Sequence, residues 1–285
     1  MSAPEVVKYY EETVWDYFLF WINTKTLAMH HGYWDKNVTS HDASLLRLNE
    51  VIADKLKLKN SDYVLDAGCG LGGSALWVAQ HRGCKVLGIS ITPDQIHRAN
   101  EYAKKKHLEH LVTFRVADYT KLDIPTGTID AVLAIETICH LKDPGPFYVE
   151  MYRILKPGGR LLVADGVTIK KQMNAHEEDL MYKFIKGWAV SNLHSLDEHI
   201  QKMKLSGFSQ ISHEYYSDKT LPSAKRLYYL SIFGIPLYWF LHWVGILPAI
   251  RVGNAESCRY QWVARQRGLW GHAMWWGVKP RAVLR

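Results

Sequence analysis

One long stretch of the chain has no charge at all: Leu227 to Ile250 runs 24 residues without a Lys, Arg, Asp or Glu. That length could span a bilayer. However, Gly234, Pro236, Gly245 and Pro248 interrupt it, His242 lies inside it, and Lys225, Arg226 and Arg251 flank both ends, which gives no orientation bias. These breaks argue against a continuous spanning helix. They leave, ahead of a true span, insertion into a membrane surface, an apolar cover over a substrate, or a homo-oligomer surface. Cysteine is scarce too. Cys69, Cys84, Cys139 and Cys258 show neither the C-x-x-C pairing of a zinc site nor the density of a secreted disulfide scaffold, so no metal is expected and a reducing, cytoplasmic setting is. Glu5, Glu11 and Glu12 precede any apolar run, so the secretory pattern is absent. The formal charge of +7 favours anionic partners such as a membrane surface, but no basic run of nucleic-acid type occurs and no nucleic-acid partner is expected.

What the chain does have is a composition 48% hydrophobic and 22% charged over 285 residues, enough to bury a full core. It is organised around Val64-Leu65-Asp66-Ala67-Gly68-Cys69-Gly70-Leu71-Gly72-Gly73-Ser74, an apolar run that ends in an acid and a glycine cluster opening onto a helical pattern. This reads as strand, tight turn, helix. The glycines let the backbone approach a ligand, and the helix from about Gly73 aims its free N–H groups at the same place. Gly68, Gly70 and Gly73 also fit the dinucleotide fingerprint, which requires an acid after the second strand. That acid is missing, because Lys85-Val86-Leu87-Gly88-Ile89 runs into Ser90. An NAD-type oxidoreductase is disfavoured accordingly.

An acid two residues before the first glycine, combined with that turn, resembles motif I of the S-adenosylmethionine-dependent methyltransferases. The resemblance covers roughly Tyr9 to Asp165 and narrows along the chain. Met29-His30-His31-Gly32-Tyr33-Trp34 is similar to a segment of tocopherol methyltransferases. Ser90-Ile91-Thr92-Pro93-Asp94-Gln95 is similar to the Ser/Thr-rich turn of sterol, tocopherol and cyclopropane-fatty-acid methyltransferases. Glu136-Thr137-Ile138-Cys139-His140 resembles the Glu-x-x-x-His of sterol C-methyltransferases, and Leu155-Lys156-Pro157-Gly158-Gly159 is a structural hallmark of the family. The resemblance implies an α/β, Rossmann-like, doubly wound and mostly parallel seven-stranded sheet. Residues 1–60 would form a helical extension, 61–170 the cofactor-binding core, and 171–285 a helical, apolar cover followed by the end of the sheet. From Pro4 to about Trp34 the spacing of Val7, Tyr10, Val14, Tyr17 and Trp21 predicts an amphipathic helix. The Arg- and Trp-rich tail, Arg251 to Trp276, suits a headgroup interface or stacking on bases.

The cofactor implied is S-adenosylmethionine, with Asp66, Gly68, Gly70, Ser90, Gln95, Asp118 and Tyr119 as its expected contacts. The acceptor implied is a hydrophobic isoprenoid, sterol or quinol, methylated at carbon. Transfer to oxygen or nitrogen, and a non-catalytic nucleic-acid-binding member of the fold, are the alternatives. Methyl transfer from a sulfonium needs alignment, dehydration and charge stabilisation more than acid catalysis at the donor. Glu136, His140, Tyr33, His31 and Tyr10 are the catalytic candidates on this reading. His30 and His31 do not read as metal ligands, since adjacent residues rarely converge on one ion.

Overall fold

The computed structural model describes residues 2–281 except 22 and 24. Helix α1 (Ala3–Phe20) starts at a capping box formed by Ser2 and Glu5 and is followed, after an extended segment, by α2 (His41–Lys55). Strand and helix then alternate: β1 (Tyr63–Ala67), α3 (Gly73–Arg82), β2 (Lys85–Ser90), α4 (Pro93–Lys105), β3 (Val112–Val116), β4 (Ile129–Ile135), α5 (Gly145–Ile154) and β5 (Leu155–Thr168). Two helices, α6 (Ala175–Gly187) and α7 (Leu196–Leu205), lead to β6 (Ser209–Tyr215). A helical hairpin of α8 (Ser217–Trp243) and α9 (Ala249–Gln266) precedes β7 (Trp270–Val278).

The seven strands form one sheet in the order β3-β2-β1-β4-β5-β7-β6, with β7 antiparallel to both neighbours. Side chains alternate across it as strand geometry requires. Val64, Val86 and Leu133 enter a core with Leu48 and Ile52 of α2 and Ala75 of α3, while Leu65, Leu87 and Val132 enter a second core with Phe147 and Met151 of α5. Both faces are covered, which is why these strands read as nearly continuous apolar runs. A third cluster joins Leu180 and Phe184 of α6 to Ala264 of α9 and to Trp270.

Three expectations are corrected. The N-terminal helix, expected to reach about Trp34, carries Val7, Tyr10, Val14 and Tyr17 but ends at Phe20, and residues 28–34 have no regular structure. The uncharged stretch is not broken at Pro236: α8 runs through Pro222 and Pro236 for 27 residues. Each proline removes one rung of the helical ladder, yet tertiary contacts hold the helix together. Tyr238 donates to Asp16 at 2.6 Å, Gln261 Nε2 donates to the Ala224 carbonyl at 2.9 Å, and Tyr228 stacks on Trp262. Among the described residues no helix is long and apolar enough to cross a membrane. Finally, the Arg- and Trp-rich tail is packed inward except at exposed Arg259 and Arg267. Trp270 and Trp275 are buried, Arg265 is buried, and Arg251 pairs with buried Asp16, so the tail is core and clamp instead of a stacking surface.

Trp275 is fully buried and its indole N–H donates to Tyr148 at 2.8 Å. Trp275→Ala is expected to cost about 3–5 kcal/mol in urea unfolding; a loss below about 1 kcal/mol would contradict this packing.

Candidate active site

In open α/β sheets ligands bind beyond the carboxyl ends of the strands, where the strand order reverses. Here that place lies between β1 and β4. A cavity of about 1200 Å³, counting its open mouth, occupies it. Asp66 lines it from β1, Gly68 and Gly70 from the turn that follows, Ser90 from the end of β2, Gln95 from the first turn of α4, and Tyr119 from beyond β3. Gly68 and Gly70 both have positive φ, and a Cβ on Gly68 would lie 2.0 Å from the Thr137 hydroxyl. A side chain there is excluded by the backbone and by space together. Ser90 donates to Gln95 at 2.8 Å, so the two act as one polar wall. Asp118 departs from expectation: it is exposed, its carboxylate accepts from the backbone and hydroxyl of Thr120, and it is not among the cavity-lining residues.

A second, apolar cavity of about 760 Å³ lies under the helical cover. Tyr17, Phe20 and Trp21 line it from one side, and Leu227, Leu230 and Cys258 from α8 and α9. Among the described residues, four line both cavities: Met29, His31, Glu136 and Trp188. The polar pair among them forms the junction. Glu136 stands just past β4 with φ +46°, a left-handed conformation that costs a non-glycine residue on the order of 1 kcal/mol or more. Its carboxylate accepts from the His31 backbone N–H at 2.9 Å and lies 3.1 Å from His31 Nδ1 and 3.4 Å from His272 Nε2. Burial alone would raise its pKa. The neighbouring His31 and the hydrogen bonds from His272 and His31 outweigh that and hold it well below the ordinary carboxylate range. Burial pushes His272 down to about 3, so this ring is neutral.

Among the catalytic candidates, the structure brings Glu136, His31, His140 and Tyr10 to the cavities and leaves Tyr33 out. Tyr33 stacks on Tyr216 and lines neither cavity. The Tyr10 hydroxyl lies 2.9 Å from His140 Nε2, and His140 Nδ1 lies 2.8 Å from the Ala189 carbonyl. Residues that sequence reasoning missed complete the site. Asp165 accepts from the backbone N–H groups of Thr137, Cys139 and Gly166 and so fixes the turn that carries Glu136. His272 arrives from β7, 136 residues after Glu136, and no local pattern announces it. The donor atoms of His31, Glu136 and His272 lie within 4.8 Å of one another, a set of the kind that can ligate a cation. The Arg265 guanidinium, 3.2 Å from His272 Nδ1, puts positive charge directly behind that set.

A family model for a methyltransferase domain matches residues 65–163. The sterol 24-C-methyltransferase of Kluyveromyces lactis is 32% identical over 181 residues, which is 63% of this chain and 49% of that protein. The chain thus spans about half the length of that relative. The 27-O-demethylrifamycin SV methyltransferase of Amycolatopsis mediterranei is 33% identical over 195 residues, 68% of this chain and 71% of that protein. The chain belongs to the class I S-adenosylmethionine-dependent methyltransferases. Among solved structures, the [4+2]-cyclase SpnF is similar with a TM-score of 0.79 and 24% identity, covering 99% of this chain and 97% of that one, which confirms the fold.

S-adenosylmethionine is the cofactor of this family, and the residues present fit it. Asp66 Oδ2 is buried in the cavity without a hydrogen-bond partner, the position of an acceptor that awaits a ligand's polar hydrogens. Burial, opposed only by the Ala75 N–H, raises the pKa of Asp66 to about 7. The ionised carboxylate is the better acceptor for a cationic ligand, so binding favours the deprotonated form and releases a proton. Cofactor affinity is therefore expected to rise from pH 6 to pH 8, approaching about tenfold per pH unit below pH 7, with proton release visible by calorimetry in two buffers. Asp66→Asn should bind more weakly and lose this dependence. Affinity that is flat with pH in the unsubstituted protein would contradict the role.

Proposed function

We propose that this methyltransferase acts on a hydrophobic, isoprenoid- or sterol-like small molecule and methylates it at carbon. The observation that carries this reading is the apolar second cavity meeting the cofactor cavity at Glu136 and His31. Asp66, Gly68, Gly70, Ser90, Gln95 and Tyr119 would hold the cofactor, whose contribution is an electrophilic methyl group. An acceptor in the apolar cavity would present its reacting end at the junction, with water kept out by Trp21, Trp188 and the aromatic face of α1. Attack by an alkene carbon leaves positive charge on the acceptor, which the Glu136 carboxylate and the surrounding aromatic faces stabilise. Transfer to oxygen is the second reading, favoured by the name of the rifamycin relative.

Incubation with methyl-labelled S-adenosylmethionine and a lipid extract is expected to give a labelled, organic-soluble product whose structure names the acceptor. No labelled product from lipid, sterol or polyketide fractions would contradict the proposal. Glu136→Gln should leave cofactor affinity within about tenfold and lower turnover on the order of a hundredfold, as for a group that acts in the transition state. Normal turnover would remove Glu136 from the mechanism.

We infer in addition that the outer face of α8 rests on a lipid surface, peripheral to the bilayer. Phe233 and Trp243 are more than four-fifths exposed, and Leu237, Trp239, Phe240 and Ile246 lie beside them in sequence with half or more of their surface bare. So large an exposed apolar face calls for a cover. The inner face of the same helix, Leu227, Leu230 and Gly234, lines the apolar cavity, so an acceptor leaving a bilayer would meet the cavity next. Two of the three flanking cations are engaged elsewhere, Arg226 donating to the Phe20 carbonyl and Arg251 to Asp16, which leaves exposed Lys225. Binding should therefore be apolar in character and weakly salt-dependent. Trp239→Ser combined with Trp243→Ser is expected to reduce co-sedimentation with phosphatidylcholine vesicles and leave cofactor affinity unchanged. A protein that stays in the supernatant without substitution, or that forms a dimer through this face, would contradict the membrane reading.

A further inference from the structure

Methyl transfer to carbon or to a hydroxyl leaves one proton to be removed, and the hydrogen-bond pattern at the junction restricts which group can take it. Arg265 can only donate. Its guanidinium lies 3.2 Å from His272 Nδ1, so that nitrogen accepts and the ring proton sits on Nε2, 3.4 Å from Glu136 Oε1. His31 Nδ1 lies 3.2 and 3.1 Å from the two Glu136 oxygens. Both are acceptors, so Nδ1 carries the proton. In neutral His31 the lone pair then belongs to Nε2, which is buried without a partner in a ring that lines both cavities.

We propose that His31 is the catalytic base, acting through Nε2, with Glu136 as the positioning carboxylate that holds its Nδ1–H. This deepens the methyltransferase reading and rests on it. As the acceptor gains its methyl group, its O–H or C–H bond breaks and an N–H bond forms at Nε2. The electron pair stays on the acceptor, where it leaves a neutral ether or closes a double bond. The imidazolium is paired with the Glu136 carboxylate until it returns the proton to water. The left-handed backbone of Glu136 belongs to the same device, since it accompanies the turn of the carboxylate toward the His31 backbone and ring.

The other candidates are occupied or misplaced. Glu136 already accepts from His31 and His272, and both nitrogens of His140 are engaged, by Tyr10 and by the Ala189 carbonyl. His30 also has a bare Nε2, but its Nδ1 meets the His31 carbonyl instead of a carboxylate, and it lines the cofactor cavity alone.

The first test is independent of turnover. Long-range proton–nitrogen correlation spectra of histidine-labelled protein at pH 8, with His31 assigned through His31→Asn, should show protonated Nδ1 and bare Nε2. A proton on Nε2 would overturn the proposal. The second test uses the same variant, whose side-chain amide can still donate to Glu136 and so keep the turn in place. His31→Asn should bind S-adenosylmethionine within about threefold of the unsubstituted protein and lose on the order of a hundredfold or more in turnover. In His31→Ala, added imidazoles should restore turnover in proportion to their basicity. Retention of a tenth or more of the turnover, rescue indifferent to basicity, or activity that chelators abolish and a divalent cation restores would each overturn it. If the unsubstituted protein methylates nothing, the functional reading fails by itself, while the spectra still decide whether the dyad exists.

Discussion

The contact between Glu136 and His31 is the constraint on which the site depends, because it ties the end of β4 to a segment 105 residues earlier that has no regular structure of its own. Without that tie the 28–34 segment would lack its main polar anchor over the cavity. It is held from the other side as well: the Gly32 N–H donates to Ser223, the Tyr33 N–H to the Ser44 carbonyl, and the Trp34 N–H to the Lys219 carbonyl. A buried carboxylate is tolerable only when its acceptors are met. His31 supplies a backbone and a ring donor, and His272 supplies another. Breaking one partner would leave a charge uncompensated in a largely apolar wall.

The same logic fixes the cover. Asp16 of α1 is buried and accepts from Tyr238 of α8 and from Arg251 and Asn254 of α9, while Tyr9 donates to Asn254 at 2.8 Å. Helix α1 and the distant α8–α9 hairpin are thereby clamped over one apolar cavity. Polar residues carry this clamp because the surrounding aromatic contacts are non-directional, whereas a carboxylate met by three donors specifies one register. The result is a floor built by the sheet, where the cofactor turn sits, and a roof built by α1, α8 and α9 over the apolar cavity. They meet at the His31 ring.

Much of the floor was legible in the residues alone. β1 and β2 appear within a residue or so of the apolar runs read from the sequence, and the helix after the glycine turn begins at Gly73. These elements are local: an apolar run of five to seven residues, a turn-forming glycine, a proline at N1, each read from its neighbours. The roof was less legible because tertiary contacts override local signals there. Pro236 reads as a helix breaker, yet α8 continues through it since its partners in α1 and α9 hold both sides. Arg251 and Trp275 read as surface residues, yet each has a buried partner, Asp16 and Tyr148. Tyr33 shares a motif with His31 but stacks on Tyr216 and lines neither cavity, in an irregular segment where no periodicity could assign it. Glu136 was visible by resemblance; its imidazole partner from β7 was not.

The central claim is that two cavities share one reactive wall, cofactor on one side and apolar acceptor on the other. The most direct measurement is photocrosslinking with a diazirine-bearing isoprenoid in the presence of S-adenosylhomocysteine, mapped by mass spectrometry. The account predicts labels on Tyr17, Leu227, Leu230 and Cys258, suppressed by excess unmodified isoprenoid. Labels confined to the outer face of α8, or to the sheet floor at Ser90 and Gln95, would contradict it.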